Sequence, residues 1–265
     1  MELSNYKRIV IKIGSSLLID EDRSLNTEWL DSLIDELVSL KEEGHEVLIV
    51  SSGAIALGGN YFGISKSEMK LAEKQAAAAS GQIILAHAYQ ELFNKKAHKT
   101  AQILLTLDDL NNSGRYQNAS NTIETLIELG VIPIINENDT VATEEIQYGD
   151  NDQLAAKVCE LVSADCLILF SDVDGLYDDD PRENPNAKLI KRVEGITPEI
   201  EMLSNKTKTE YGSGGIETKI KAANICLKAG CNTIIANGLN KRPISIIKNT
   251  DQHTIFIANY NEQQD

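Results

Sequence analysis

No apolar run in the 265 residues approaches the roughly 20 that a membrane span needs. No signal-like stretch opens the chain either, because Met1 to Arg8 is short and polar. The expectation is a soluble, cytoplasmic protein that makes no use of a membrane. Positive charge is also scarce: 25 Lys and Arg stand against 40 Asp and Glu, for a net charge of -15. Such a surface repels a polyphosphate backbone, so nucleic acid is excluded as a general partner. The four cysteines, Cys159, Cys166, Cys226 and Cys231, contain no C-x-x-C pair. They read as buried reduced thiols. His45, His87, His98 and His253 lack metal-ligand spacing and read as structural or surface residues, and no position supports a Ser-His-Asp arrangement. Neither G-x-x-x-x-G-K-[ST] nor G-x-G-x-x-G occurs, which excludes a Walker-type ATPase and a dinucleotide-binding fingerprint.

What is present is an alternation of strands and helices. Arg8–Ile13 is a β-branched run ended by Gly14-Ser15-Ser16. Asn26 or Thr27 caps a stretch in which Trp29, Leu30, Leu33, Ile34, Leu37 and Leu40 recur at helical spacing until Gly44. Glu46–Val50 is a second strand. Ser67–Lys95, with its alanine run and Gly81, predicts one long helix or two in tandem whose small residues allow close packing. Further strands are predicted at Thr100–Leu105, Val131–Ile135, Cys166–Phe170, Thr233–Ala236 and Thr254–Ile257. Helices are predicted at Arg115–Leu129, Asp150–Leu161 and Glu217–Lys228. The alternation implies an α/β three-layer sandwich with a mainly parallel central sheet. One domain over 1–258 is expected, with an N-terminal and a C-terminal lobe and a polar tail from Asn259.

In open α/β sheets ligands bind beyond the carboxyl ends of the strands, and the unusual clusters fall there. They are Lys12-Ile13-Gly14-Ser15-Ser16, Ser51-Ser52-Gly53-Ala54, Asn136-Glu137-Asn138-Asp139 and Ser171-Asp172-Val173-Asp174-Gly175, with Gly149-Asp150-Asn151-Asp152 opening a helix. Glycine and serine turns let backbone N–H groups approach a phosphate. Lys12 lies inside an apolar strand, where a charge needs a partner. It reads either as a lysine snorkelling from a strand end or as a cation facing a phosphate. Lys219 stands just inside a helix after a glycine loop and reads as a solvated helix lysine or a second such cation. Two lysines with an acidic group to orient them suit phosphoryl transfer, and Asp152 is the candidate carboxylate. Asp178, Asp179 and Asp180 read as a solvated loop.

These segments carry a resemblance. Lys12-Ile13-Gly14-Ser15-Ser16, Ser51 to Ala56, and Val173 to Tyr177 with Asp180-Pro181 resemble the amino-acid kinase superfamily. Asn136 to Thr143, Gly149 to Asp152 and Ser213 to Lys219 look like the branch that phosphorylates the side-chain carboxylate of glutamate. The likeness runs in order from about Lys7 to about Gly238. It implies the amino-acid kinase fold, ATP and Mg²⁺ as cofactors, and L-glutamate as acceptor. Lys12, Lys219 and Asp152 would be catalytic. Lys12, Gly14, Ser171, Asp172, Ser213, Gly214, Gly215, Ile216, Glu217, Thr218 and Lys219 would bind ATP. Ser52, Gly53, Asn136, Asp139 and Asn151 would hold glutamate, with Asp139 suited to its ammonium group. Direct protein ligands to the metal are expected to be few or none, since Mg²⁺ keeps its waters. The product would be γ-glutamyl phosphate, the first intermediate of proline synthesis.

The resemblance further implies a homo-oligomer, feedback inhibition by proline through Asn60 to Ser67 and the helix after it, and hand-over to glutamate-5-semialdehyde dehydrogenase. The chain ends at Asp265 without the C-terminal PUA domain that many relatives carry, so the likeness is to the short form. Ser171 and Ser213 stand where threonine is common. Glu217 replaces a small residue and adds negative charge beside the expected phosphate site, which bears on ATP affinity.

Overall fold

The computed structural model describes residues 3–20, 22–65, 68–141, 151–206 and 215–258. The polar tail expected from Asn259 lies outside them. Eight strands form one sheet: β1 (Arg8–Ile13), β2 (Glu46–Ser51), β3 (Thr100–Leu105), β4 (Ile132–Glu137), β5 (Cys166–Ser171), β6 (Arg192–Val193), β7 (Asn232–Asn237) and β8 (His253–Phe256). Their order is β3-β4-β2-β1-β5-β7-β8-β6. All pairings are parallel except β7 with β8. The α/β three-layer sandwich expected from the alternation is therefore the observed architecture.

Ten helices accompany the strands among the described residues: α1 (Ser15–Leu18), α2 (Thr27–Glu42), α3 (Ala54–Phe62), α4 (Leu71–Lys95), α5 (Leu107–Asn111), α6 (Ser113–Glu128), α7 (Asn151–Leu161), α8 (Pro198–Lys206), α9 (Ile216–Lys228) and α10 (Pro243–Asn249). Strand parity sorts them into two layers, because successive side chains point to opposite faces. Ile9, Ile11 and Ile13 of β1 join Ile49 and Ile168 on one face, under Leu30 and Leu33 of α2, Phe93 of α4 and Ile247 of α10. Val10, Leu48, Val50 and Leu169 line the other, under Ile123 of α6, Val158 of α7 and Ala223 of α9. By this alternation Lys12 belongs to the face of α7 and α9.

The helix Ala54–Phe62 is a finding against the sequence reading, which has only a turn there. It is short, and Gly58 and Gly59 obscure its period, but those glycines make its packing. A Cβ on Gly58 would come within 1.8 Å of the Ala77 carbonyl oxygen, and one on Gly81 within 1.7 Å of that of Ala54. The two helices thus cross backbone to backbone, as the small residues of the Ala76 to Gly81 segment suggest. Gly53 opens α3 at φ +101°, a left-handed conformation that glycine adopts without steric cost. Of the stretch Asn60 to Ser67 expected to serve proline inhibition, Asn60, Tyr61 and Phe62 end that helix, and 66–67 lie outside the described residues. Helices α1, α5, α8 and α10 and the two-residue strand β6 are too short for a periodicity to declare them.

Candidate active site

β1 and β5 are neighbours whose onward connections run to opposite sides, β1 to β2 and β5 to β7. That is the switch point at which an open parallel sheet leaves a crevice beyond its carboxyl ends. Lys12 is the last residue but one of β1 and Ser171 ends β5 at this crevice, while α7 and α9 lie over the same sheet face.

Asp152 on the first turn of α7 is fully buried. Its Oδ1 lies 2.5 Å from Lys12 Nζ and its Oδ2 3.1 Å from Lys219 Nζ. The Thr218 hydroxyl, 2.8 Å away, donates to the same Oδ2. Burial alone would raise the carboxyl's pKa, but the two ammonium groups outweigh it and hold the value at about 2. Lys12 and Lys219 are only 6% and 4% exposed, so both amines turn inward and snorkelling is excluded. Two cations and one anion leave a local excess of one positive charge in a chain of net -15. An anion approaching this surface finds its attraction here.

Gly14 follows Lys12 closely in space as well as in sequence: a Cβ there would lie 3.9 Å from the Lys12 amine. Gly215 precedes α9 and offers no side-chain cap, so the first amides of that helix are free of a described side-chain acceptor. Such amides favour an anion. Ser171 is buried and donates to the exposed Asp172 carboxylate at 3.1 Å. Ser213 and Gly214 lie outside the described residues. Ile216 packs its side chain against the core of the α7–α9 layer. Glu217 turns to solvent and pairs with Lys221 at 2.7 Å. That partner offsets the negative charge Glu217 brings to the start of α9.

A second group of polar side chains adjoins the first. Asn151 Nδ2 donates to Ser52 Oγ at 2.8 Å and to Asn136 Oδ1 at 3.2 Å. It also reaches the Ser51 carbonyl at 3.3 Å. The buried Asn151 Oδ1 has no hydrogen-bond partner among the described residues. Asp139 lies half-buried in the 3-10 turn that follows β4. Gly149 and Asp150 lie outside the described residues.

The support behind this group escaped the sequence reading. Tyr89 of α4 is fully buried and meets Ser51 Oγ at 3.0 Å, and burial pushes its phenol pKa up. Gln82 Nε2 donates to the Glu137 carbonyl at 3.3 Å and is itself held by Gln102. The signal was a glutamine and a tyrosine seven residues apart on the buried stripe of α4, where apolar residues are the norm. The reading of Asp178, Asp179 and Asp180 as a solvated loop needs one correction. Asp180 is buried, because the Arg182 guanidinium donates to both its oxygens, at 3.0 and 2.8 Å, and lowers its pKa. The four cysteines are buried and free, as expected.

Comparison with known proteins supplies the family. Residues 7–237 match the model of the amino acid kinase family. The chain is 50% identical over 258 residues to a glutamate 5-kinase of Paramagnetospirillum magneticum, covering 97% of this chain and 70% of that one. It is 50% identical over 257 residues to the glutamate 5-kinase of Brucella ovis, covering 97% and 68%. Among solved structures, the UMP kinase of Ureaplasma parvum superposes with a TM-score of 0.66 at 21% identity, over 95% of this chain and 98% of that one. The UMP kinase of Bacillus anthracis superposes at 0.64 and 16%, over 96% and 97%. At those identities the two structures speak to the fold alone. The switch-point crevice, its paired lysines and the matches over nearly the whole length lead to one conclusion: the chain belongs to the amino acid kinase family.

Proposed function

We propose that the chain transfers the γ-phosphoryl group of ATP to the side-chain carboxylate of L-glutamate, forming γ-glutamyl phosphate, as its glutamate 5-kinase relatives are named for doing. One observation carries the reading. Asn151 and Asp152 are adjacent at the start of α7, yet Asn151 engages Ser52 and Asn136 while Asp152 engages Lys12 and Lys219. A single helix start thus ties an amide-lined subsite to a cationic one, which suits an acceptor and a phosphoryl donor meeting in line.

The chemistry asks little else. A glutamate carboxyl titrates near 4.3, so the acceptor is already ionised at neutral pH and needs no general base. The obstacle is repulsion between two anions, and Lys12 and Lys219 offset it while spreading positive charge over the phosphoryl oxygens. Asp152 holds the two amines in register. Gly14, Ser171, Asp172 and the segment from Ser213 to Lys219 frame the nucleotide, and Ser52, Gly53, Asn136, Asp139 and Asn151 hold glutamate. Both Asp152 oxygens are engaged by lysines, and no cluster of three carboxylate or histidine groups occurs among the described residues. A Mg²⁺ accompanying the nucleotide would neutralise charge on the polyphosphate. A cytoplasmic location, one kinase domain of two lobes, a homo-oligomer, proline inhibition and hand-over of the labile product to a reductase belong to the same reading. Among the described residues no helix is long and apolar enough to cross a membrane.

The test is a substrate panel with ATP and hydroxylamine, which traps an acyl phosphate as hydroxamate. Hydroxamate should form with glutamate and not with aspartate or acetylglutamate. Lys12→Ala and Lys219→Ala should each lower turnover by about two to four orders of magnitude in folded protein. Hydroxamate from another acceptor but not glutamate, or full activity in either variant, would overturn the assignment.

A further inference from the structure

Two turns below the charged triad, the same two helices meet again through sulfur. Cys159 follows Asp152 by seven residues on α7, and Cys226 follows Lys219 by seven on α9. Seven residues are close to two turns, about 10.5 Å along the axis on the same face. The face that joins Asp152 to Lys219 therefore joins Cys159 to Cys226. Cys231, just before β7, completes the group: the three Sγ atoms lie within 4.8 Å of one another, and each residue is 0% exposed. This is the one such cluster of potential metal ligands among the described residues. Cys166, also buried, is not part of it.

We propose that Cys159, Cys226 and Cys231 form a thiolate site for a soft, closed-shell d¹⁰ cation of the Cu⁺ or Zn²⁺ class, which staples α7 to α9 beneath the active site.

The geometry needs little change. With the sulfurs at most 4.8 Å apart, an ion at the centre of their triangle would lie no more than about 2.8 Å from each, against about 2.3 Å for a metal–thiolate bond. Each sulfur closes by at most about half an ångström. The field favours a cation as well. Cys159 and Cys226 are each third from the end of their helices, and their carbonyl oxygens accept the closing hydrogen bonds from Ala164 and Cys231, both at 2.9 Å. Two helix carboxyl ends, each carrying partial negative charge, converge on one point. A cation is favoured in that field. Ligation releases one proton from each of three thiols and changes no oxidation state. The fully buried Thr233 hydroxyl, two residues after Cys231, adjoins the Cys226 thiol. Trigonal thiolate coordination suits Cu⁺, whereas Zn²⁺ takes a fourth donor in nearly all structural sites. The two arms of the experiment distinguish them.

The full chain, kept reduced with a phosphine, is incubated with Cu⁺ or with Zn²⁺ alone, freed of loose metal and analysed by elemental mass spectrometry. The same measurement is made on protein purified from metal-supplemented cells. One equivalent per chain is expected in at least one arm, with three sulfurs in the X-ray absorption spectrum and slower amide exchange in both α7 and α9. Cys226→Ala and Cys231→Ala, which keep small apolar side chains in the core, should abolish uptake, and Cys166→Ala should leave it unchanged. Less than a tenth of an equivalent in every preparation overturns the proposal. So does a coordination sphere without sulfur, which is read on the unaltered chain and does not depend on any variant folding.

Discussion

Replacing Asp152 by asparagine keeps the shape of the side chain and removes the one negative charge between two buried amines. At an effective dielectric constant of about 20, each close ammonium–carboxylate pair contributes roughly 5 kcal/mol of attraction before desolvation. The net cost of leaving buried partners without their counter-charge is about 3–5 kcal/mol. Lys12 and Lys219, at 2.5 and 3.1 Å from the carboxylate, then repel one another across a neutral amide. A domain of this size loses about 2–4 °C of melting temperature per kcal/mol, so Asp152→Asn should melt roughly 6–20 °C below the parent. Turnover in the hydroxamate assay should fall by about two to four orders of magnitude. A second effect runs in the opposite direction. Two unmatched cations bind anions more strongly than a neutralised pair, so inorganic sulfate should raise the melting temperature of the variant more than that of the parent. Calorimetry with and without sulfate measures both effects. A variant that melts within about 2 °C of the parent and turns over within tenfold of it would refute this account of the triad.

Two further outcomes follow from the same structure. Gly81→Ala sets a Cβ 1.7 Å from the Ala54 oxygen, so α3 and α4 must part at a cost of about 3 kcal/mol. Because the turn at Ser52 and Gly53 leads into α3, the KM for glutamate should rise more than that for ATP, and an equal rise in both would count against this role of the crossing. The Asp152 carboxyl, held at about 2 in the fold against about 3.9 when unfolded, contributes stability that is fully present above pH 4. That contribution, on the order of 2 kcal/mol, is lost as pH falls through 2. Asp152→Asn should therefore show a shallower loss of stability than the parent between pH 4 and 2 in denaturant titrations, and identical slopes would contradict the assignment.

Composition, alternation and turn residues were enough to determine the α/β sandwich, most of its strands and the ends at which a site would form. β-branched runs and helical stripes are local patterns, and each long element carries its own. Lys12 was suspect from sequence alone because a charge inside an apolar strand demands a partner. The identity of that partner was a tertiary matter. Strand parity points Lys12 toward α7 and α9, and only the packing of those helices brings Asp152 and Lys219, 67 residues apart, onto it. The α3–α4 crossing was hidden because glycine has no side chain with which to mark a buried face. Asp180 showed itself as buried only once Arg182 folded back on it. Cys226 and Cys231 are near neighbours in sequence, but Cys159 joins them only because α7 packs against α9. Residue type declares what a side chain can do, while the neighbours that make it act come from contacts between segments that no local pattern records.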